Sequence, residues 1–361
     1  MGWRRGGRGG RLLGSTAAAL GAFAAAGTIA AATADAAPLS AERTPVAIDS
    51  DYGSGSFGRW GVDGDGLPRY RYAIDEQTAP QAAQPELNGN RDAWHQLGND
   101  HVVANAYNHG YTQLWTMDHL YQWSNYAEPG ADSGHYAGGY GYLNVDGEPA
   151  TTLYSDRAAD QPFRRDFGAG YSRTRTRAGE VKVDSRVYAP YGDDPLLLHD
   201  VTLRNTGDSA HRVSWFEYWD VNPYFPGPHM HPGLEAPVHE GRTLSVQQLP
   251  GAQDRANPLT TFAAALKGPV GGFETDGTAF FGAGGRAQPD AVKADELSGS
   301  IAPAAPSGEL GQTAFVFRAP LVLKPGQKVT LRYAYGTTEA KKIAPLVRRY
   351  RKAADLSLIH I

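Results

Sequence analysis

The sequence predicts an all-β protein built from many short antiparallel strands. From Asp51 onward, short runs of alternating apolar and polar residues are bounded by glycine, proline, asparagine and aspartate, which is typical of strands separated by turns. Helical periodicity is scarce until the pattern changes after Thr337. This order of elements favours a sandwich or a barrel over a doubly wound parallel sheet.

Composition excludes several classes of protein and site. The 361 residues carry a formal net charge of −4, which argues against a broad nucleic-acid-binding surface, because such a surface needs an excess of cations. The chain has no cysteine, so disulfides, cysteine-ligated zinc, iron–sulfur clusters and thiol nucleophiles are excluded. Hydrophobic residues make up 41% of the chain, enough for a large core rather than global disorder.

Residues 1–36 are predicted to be a signal peptide. Residues 1–11 carry four arginines and no acidic residue, and residues 12–33 are uncharged and rich in alanine and glycine. Ala34-Asp35-Ala36 then supplies a small-residue cleavage site. The pair Arg4-Arg5 leaves a twin-arginine signal open, and a membrane anchor is the competing interpretation. We expect a periplasmic, cell-surface or secreted protein with no stable membrane span after cleavage.

The middle of the chain holds the clearest strand patterns. Val181–Ala189 alternates with a period of two, and Leu196–Asn205 is a second run that ends at the turn Thr206–Asp208. Arg212–Asp220 fits no single period, which predicts either a bulge or a strand buried on both faces.

The region before the helical pattern predicts a loop and a hairpin. Gly284–Gly311 is rich in alanine, proline, glycine and serine, and we expect a long surface loop there. We predict a hairpin whose two strands are Thr313–Arg318 and Lys328–Tyr335, joined through the turn at Leu323–Gly326.

The end of the chain predicts one amphipathic helix. Residues 339–355 contain helix formers with an apolar stripe, and Pro345 introduces either a kink or a boundary. The stripe consists of Ile343, Leu346, Val347 and Tyr350. Residues 356–361 do not continue it and resemble translated sequencing adapter. We interpret them as a non-native tail and hypothesise that the natural gene continues.

Side chains suited to sugar binding are concentrated in Arg91–Tyr126. Aromatic rings stack on the apolar face of a pyranose, while amides, carboxylates and histidines hold its hydroxyls. The alternative interpretation is that about half of the large apolar side chains here belong to the core. The candidates are Trp94, His95, Asn99, Asp100, His101, Trp115, Asp118, His119 and Trp123.

Other motifs in the sequence carry less weight. His229 and His231, with His239, are weak candidates for a metal site, because the segment is proline-rich and lacks an HExxH helix. The competing interpretation is a polar loop, and no cofactor is expected. No G-x-S-x-G nucleophile elbow is present, so Ser-His-Asp catalysis has no sequence support.

Three segments together resemble a known family. They are Asp51–Tyr72 (containing FGRWGVDGDGLPRYRY), Asp166–Pro190 (beginning DFGAGY) and Pro195–Asp220 with its L-R-N-T-G-D turn. They resemble the amino-terminal domain of cellobiose-phosphorylase-like enzymes, glycoside hydrolase family 94, formerly the glycosyltransferase 36 group. The resemblance implies a galactose-mutarotase-like β-supersandwich over residues 51–338, after a linker at 37–50, with residues 339–355 as a linker helix.

The resemblance also implies where catalysis occurs. In the family a helical (α/α)₆ barrel follows the sandwich and carries the catalytic acid, so no catalytic residue is expected in this chain. The sandwich packs on the barrel, supports homodimers and lends loops to the sugar site. The residues predicted to bind substrate are Arg59, Trp60, Trp94, Trp115, Asp118 and Trp123.

The secretion signal departs from phosphorylases that use cytoplasmic phosphate. It favours an exported hydrolase or transglycosylase relative whose partner is a glucan-like oligosaccharide, with no nucleic-acid partner. Two alternatives remain: a stand-alone carbohydrate-binding module without catalysis, and a structural β-domain for protein contacts.

Overall fold

The computed structural model describes residues 58–72, 93–118, 121–128, 134–250 and 258–352. The predicted signal peptide, the linker at 37–50 and the tail at 356–361 lie outside these residues. Among the described residues, none of the helices is both long enough and apolar enough to cross a membrane.

Strands dominate the described chain. In chain order they are β1 (Gly58–Val62), β2 (Pro68–Tyr72), β3 (Trp94–Gly98), β4 (Val102–Tyr107), β5 (Thr112–Thr116), β6 (Gln122–Trp123), β7 (Gly138–Val145), β8 (Glu148–Thr151), β9 (Phe163–Gly168), β10 (Tyr171–Ala178), β11 (Val181–Tyr188), β12 (Leu196–Asn205), β13 (His211–Asp220), β14 (Val238–Glu240), β15 (Thr243–Gln247), β16 (Leu259–Lys267), β17 (Gly272–Asp276), β18 (Thr313–Leu323) and β19 (Lys328–Glu339).

The strands form two large sheets in which the paired strands run antiparallel. Sheet A has ten strands in the order β1-β2-β9-β10-β11-β12-β19-β16-β15-β14. Sheet B has the order β17-β18-β13-β7-β5-β4-β3, with β6 paired to β5 and β8 paired to β7. The two sheets confirm the predicted all-β supersandwich.

The main core lies between the inner faces of the sheets. Val181, Val183, Ser185 and Val187 of β11 are buried there, and the alternate residues Lys182, Asp184 and Arg186 point outward, as the alternation predicts. β13 is buried on both faces from Val213 onward and has a bulge between Tyr218 and Trp219. Both explanations offered for its irregular pattern are therefore confirmed.

Three helices cover parts of the outer faces, meaning the faces turned away from the other sheet. α1 (Gly277–Phe281) and α2 (Asp290–Ala294) cover the aromatic outer face of β7, β13 and β18 in sheet B. α3 (Ala340–Lys352) covers the outer face of sheet A at β12, β16 and β19, and it buries the predicted stripe. Pro345 lies inside α3.

Two predictions about the later chain were wrong. β18 and β19 do not form a hairpin, because β18 pairs with β13 and β17 in sheet B while β19 pairs with β12 and β16 in sheet A. The turn after Leu323 therefore crosses from one sheet to the other. Gly284–Gly311 is not wholly a surface loop, since it contains α2 and buries Val292 completely.

Candidate functional site

The outer face of β3, β4 and β5 carries aromatic and amide side chains. Val102, Ala104 and Ala106 of β4 point into the core, so the residues between them point outward. Strand register then aligns outward side chains of neighbouring strands in rows. We call these rows the open face of sheet B; their aromatic and amide members are Trp94, Gln96, Asn105, Tyr107, Gln113, Trp115 and Trp123, and Val103 lies opposite Trp115 on the same face.

Amides form the middle row of this face. Gln96 pairs with Asn105, and Asn105 pairs with Gln113 across the three strands. The Gln96 amide donates to Asn105 Oδ1 at 3.3 Å, and the Gln113 carbonyl oxygen accepts from the Tyr107 hydroxyl at 3.0 Å. Gln96 is exposed and Asn105 is half-buried, whereas Gln113 is buried at 4% exposure. The exposed part of the row therefore presents donors and acceptors without a formal charge.

An aromatic row flanks the amides on one side. Trp94 is 55% exposed and lies beside Tyr107, with 5.9 Å between ring centroids. Tyr107 in turn stacks on Tyr111 at 4.4 Å. This row is two residues along the strands from the amide row, which is about 7 Å.

A second aromatic row lies on the opposite side of the amides. Trp115 meets Trp123 edge to face, with centroids 4.9 Å apart. The contacts continue from Trp123 to Tyr126 at 6.3 Å and from Tyr126 to Tyr224 at 4.5 Å. Partly exposed rings thus extend the row beyond the sheet.

The three rows suit neutral, hydroxyl-rich ligands. Rings can stack on the apolar faces of pyranoses, while the amides between them donate to and accept from hydroxyls. The open face contains no ionised side chain, so it offers no direct charge to a phosphate or a carboxylate.

The structure separates five of the six predicted substrate-binding residues into two groups. Trp94, Trp115 and Trp123 share the open face of sheet B. Arg59 and Trp60 lie on β1 at the edge of sheet A, where Trp60 packs against Tyr70 with ring centroids 5.2 Å apart.

Asp118 follows the end of β5 and is not one of the outward residues of the rows. Its carboxylate lies 2.9 Å from His101 Nε2. Sequence reasoning missed Gln96, Asn105, Tyr107 and Gln113 as site residues. Their alternation with buried residues was the available signal.

Other candidates from the same stretch hold the fold together. The Asn99 amide donates to Pro190 O and Asp194 O at 2.9 Å, and its oxygen accepts from two backbone amides. His95 Nε2 lies 3.0 Å from Gly168 O, and burial lowers the pKa of His95. Backbone N–H of Asp100 donates to Gly192 O. His119 lies outside the described residues.

The three histidines proposed as weak metal ligands have separate contacts. His229 Nδ1 is 2.9 Å from the Tyr224 hydroxyl, and His231 Nε2 is 3.4 Å from a carboxylate oxygen of Glu128. His239 packs on the Phe273 ring at 3.8 Å. Across the described ranges, no group of three or more His, Asp and Glu side chains is placed to hold a metal ion.

A serine, a histidine and a glutamate lie within hydrogen-bond distance in the core. Ser185 Oγ is 2.6 Å from His199 Nε2, and His199 Nδ1 is 2.7 Å from Glu217 Oε1. Glu217 also accepts from the indole N–H groups of Trp215 at 3.0 Å and Trp219 at 2.7 Å.

This network joins the two sheets rather than forming an accessible reaction centre. Ser185 and His199 belong to sheet A, Glu217 belongs to sheet B, and both His199 and Glu217 are fully buried. A nucleophile needs space for its substrate, whereas these side chains are surrounded by the main core. The network satisfies buried polar groups, each of which would otherwise destabilise the fold.

Comparison with known proteins identifies a family. The family model described as "Glycosyl hydrolase 94, supersandwich domain" matches residues 82–353. No curated protein sequence matches this chain.

Similar solved structures include a polysaccharide lyase, at 12% identity and a TM-score of 0.39, with 72% of this chain and 34% of the other covered. A protein from the human microbiome assigned as a kojibiose phosphorylase is 8% identical, with a TM-score of 0.42 and coverage of 80% and 36%. A protein from Escherichia coli K12 assigned as an aldose 1-epimerase is 9% identical, with a TM-score of 0.35 and coverage of 69% and 100%. The chain spans about a third of the length of the first two structures.

Proposed function

This chain belongs to the glycosyl hydrolase 94 supersandwich domain family, and from that premise we propose that it is the non-catalytic, carbohydrate-binding domain of a secreted glycoside hydrolase or phosphorylase relative. The proposed ligand is a glucan-like oligosaccharide. Catalysis is assigned to an (α/α)₆ barrel outside this chain, and export to the signal-like pattern of residues 1–36.

The arrangement of the open face of sheet B carries the proposal. An amide row between two aromatic rows offers alternating stacking and hydrogen-bonding positions along one strand direction. Successive sugars of an oligosaccharide present the same alternation of apolar faces and hydroxyl edges. A neutral glucan therefore matches the face better than a phosphorylated or strongly charged ligand.

The burial and pairing of the potentially reactive side chains support a non-catalytic role. The Ser185–His199–Glu217 network is sealed in the core, and Asp118 is paired with His101. A glycosidase needs two carboxyl groups facing each other across a sugar in an open site. The members of the open face of sheet B include amides and no carboxyl group.

The binding test uses the purified chain with cellopentaose and maltopentaose in isothermal titration calorimetry. We expect Trp94→Ala and Trp115→Ala each to weaken binding by about 1–2 kcal/mol, roughly five- to thirtyfold, because each removes a stacking ring. Trp60→Ala is the matched control, since Trp60 is 43% exposed but lies on sheet A, and its affinity should match that of the wild type.

Failure of the wild type to bind either pentasaccharide would contradict the binding role, as would an equal loss in Trp60→Ala. Incubating the same chain with each sugar, with and without inorganic phosphate, tests the other half of the proposal. Release of shorter sugars or of a sugar phosphate would contradict the non-catalytic assignment.

A further inference from the structure

Four cations lie directly opposite one another on the outer face of sheet A. Arg177 of β10 pairs with Lys182 of β11, Lys182 pairs with Arg204 of β12, and Arg204 pairs with Lys328 of β19. We call Arg177, Lys182, Arg204 and Lys328 the cation row. Adjacent strands are about 4.8 Å apart, so the row spans about 14 Å across the sheet.

This placement is unfavourable for the isolated fold. Like charges directly opposite each other on a sheet are destabilising. Elsewhere on the same face several cations are paired with carboxylates: Asp166 contacts Arg71 and Arg175, Asp184 contacts Arg173, and Asp200 contacts Arg332. None of the four cations in the row forms an ion pair with a carboxylate among the described residues.

Three members of the cation row line a groove with a cavity volume of about 430 Å³. Lys182, Arg204 and Lys328 line it together with the hydroxyls of Thr202 and Thr330, which are 2.9 Å apart. Arg173, Arg186 and two carboxylates complete the lining, and the carboxylates are paired with arginines, Asp184 with Arg173 and Asp200 with Arg332. The groove therefore combines uncompensated positive charge with hydrogen-bonding groups of the kind that hold sugar hydroxyls.

We infer that the cation row binds an anionic polysaccharide, a sugar chain that carries carboxylate or sulfate groups. The ammonium and guanidinium groups supply charge-assisted hydrogen bonds to those anions, and Thr202 and Thr330 face the sugar hydroxyls. This site lies on the other sheet from the proposed neutral-glucan site, and it stands whether or not that proposal holds.

The surroundings of the row favour a glycan over other polyanions. Sites for single-stranded nucleic acids combine cations with exposed rings on which bases stack, and the groove lining contains no ring. A protein interface has an apolar core, which the lining also lacks. A second copy of this chain would bring like-charged rows together, so self-association through this face is disfavoured.

The test measures binding of the full chain at low salt to polygalacturonate, which carries carboxylates, and to dextran sulfate. Neutral dextran and duplex DNA are the comparison ligands. The variant K182Q/R204Q/K328Q removes three charges of the row, and R212Q/K267Q/K293Q removes three exposed charges elsewhere. Thermal unfolding of both variants checks that they fold.

We expect at least one anionic polysaccharide to bind and the row variant to bind it about tenfold more weakly or worse. The matched variant should retain most of the affinity, and binding should weaken as salt rises. Three results would overturn the inference: no binding of either anionic polysaccharide, tighter binding of duplex DNA, or an equal loss in both variants.

Discussion

The outer faces of the two sheets are built alike but differ in chemistry. On sheet B, α1 and α2 cover an aromatic cluster that includes Tyr142, Tyr218 and Phe280. On sheet A, α3 covers an apolar cluster that includes Leu198, Phe262 and Leu346. Each sheet therefore has an apolar outer region buried by helices and a polar outer region that stays open.

The open regions of the two sheets differ in charge. The open face of sheet B presents rings and amides. The uncovered outer face of sheet A presents arginines, lysines and aspartates, and the four cations of the cation row have no carboxylate partner among the described residues. Strand alternation fixes that these residues point outward but not which chemistry they carry. The two proposals accordingly assign a neutral partner to one face and an anionic partner to the other.

The largest expected effect tests whether the helical covers are integral parts of the fold. Phe280→Ala should lower the free energy of unfolding by about 4 kcal/mol and Leu346→Ala by about 3 kcal/mol, because each leaves a cavity under a helix. Urea denaturation measures both. Val322→Ala, at a side chain that is 62% exposed, should change stability by less than about 0.5 kcal/mol. A loss below about 1 kcal/mol in either covered variant would contradict the comparison.

The second effect is a pH dependence of stability that comes from a buried histidine of sheet B and not from the cation row of sheet A. His109 lies in the turn between β4 and β5, is 1% exposed and packs edge-on against Tyr154 with ring centroids 5.5 Å apart. Burial, with the nearby charges of Arg286 and Arg165, lowers the pKa of His109 to about 4. The folded chain therefore holds His109 neutral while the unfolded chain protonates it near pH 6.5.

The stability that this histidine contributes is complete above pH 6.5 and is lost as the pH falls toward 4. At pH 5 the loss should be about 2 kcal/mol. His109→Phe keeps a ring and cannot titrate, so its unfolding free energy should fall by about 2 kcal/mol less between pH 7.5 and 5. Lysines and arginines of the cation row stay charged over this range. Identical pH dependence in both proteins would show that burial does not depress the pKa of His109.

The smallest effect tests the repulsion within the cation row. Arg204→Gln removes the positive charge that lies between Lys182 and Lys328. It should therefore raise the free energy of unfolding by about 0.5 kcal/mol at low salt. Salt screens such repulsion, so the gain should shrink in 0.5 M NaCl, a Debye length of about 4 Å. Arg212→Gln, another exposed cation, serves as control. Destabilisation by Arg204→Gln would mean that the guanidinium has a stabilising partner.

Much of the fold could be predicted from local sequence. Val181–Ala189 alternates and forms β11, and the apolar stripe of residues 339–355 forms the buried side of α3. The irregular period of Arg212–Asp220 correctly indicated a bulged strand buried on both faces. In these segments the periodicity of the side chains and the geometry of the backbone agree.

Less of the candidate site could be predicted. Residue type alone selected Trp94, Trp115 and Trp123, which share one face, but it also selected Trp60, which lies on the other sheet. Asn105 was overlooked because an amide within a strand resembles an ordinary surface residue until its neighbours across the sheet are known. Local density of aromatic residues does not report which strands are adjacent.

The sequence by itself determined the all-β class, the family and the side of each well-patterned strand that is buried, because alternation is a property of consecutive residues. Tertiary structure alone decided that β18 and β19 belong to different sheets, that Val292 anchors a helix in a glycine- and proline-rich segment, and that four cations form a row. Strand pairing joins residues far apart in the chain, such as Arg204 and Lys328. Its free energy depends on burying both sheet faces together, which no short segment encodes.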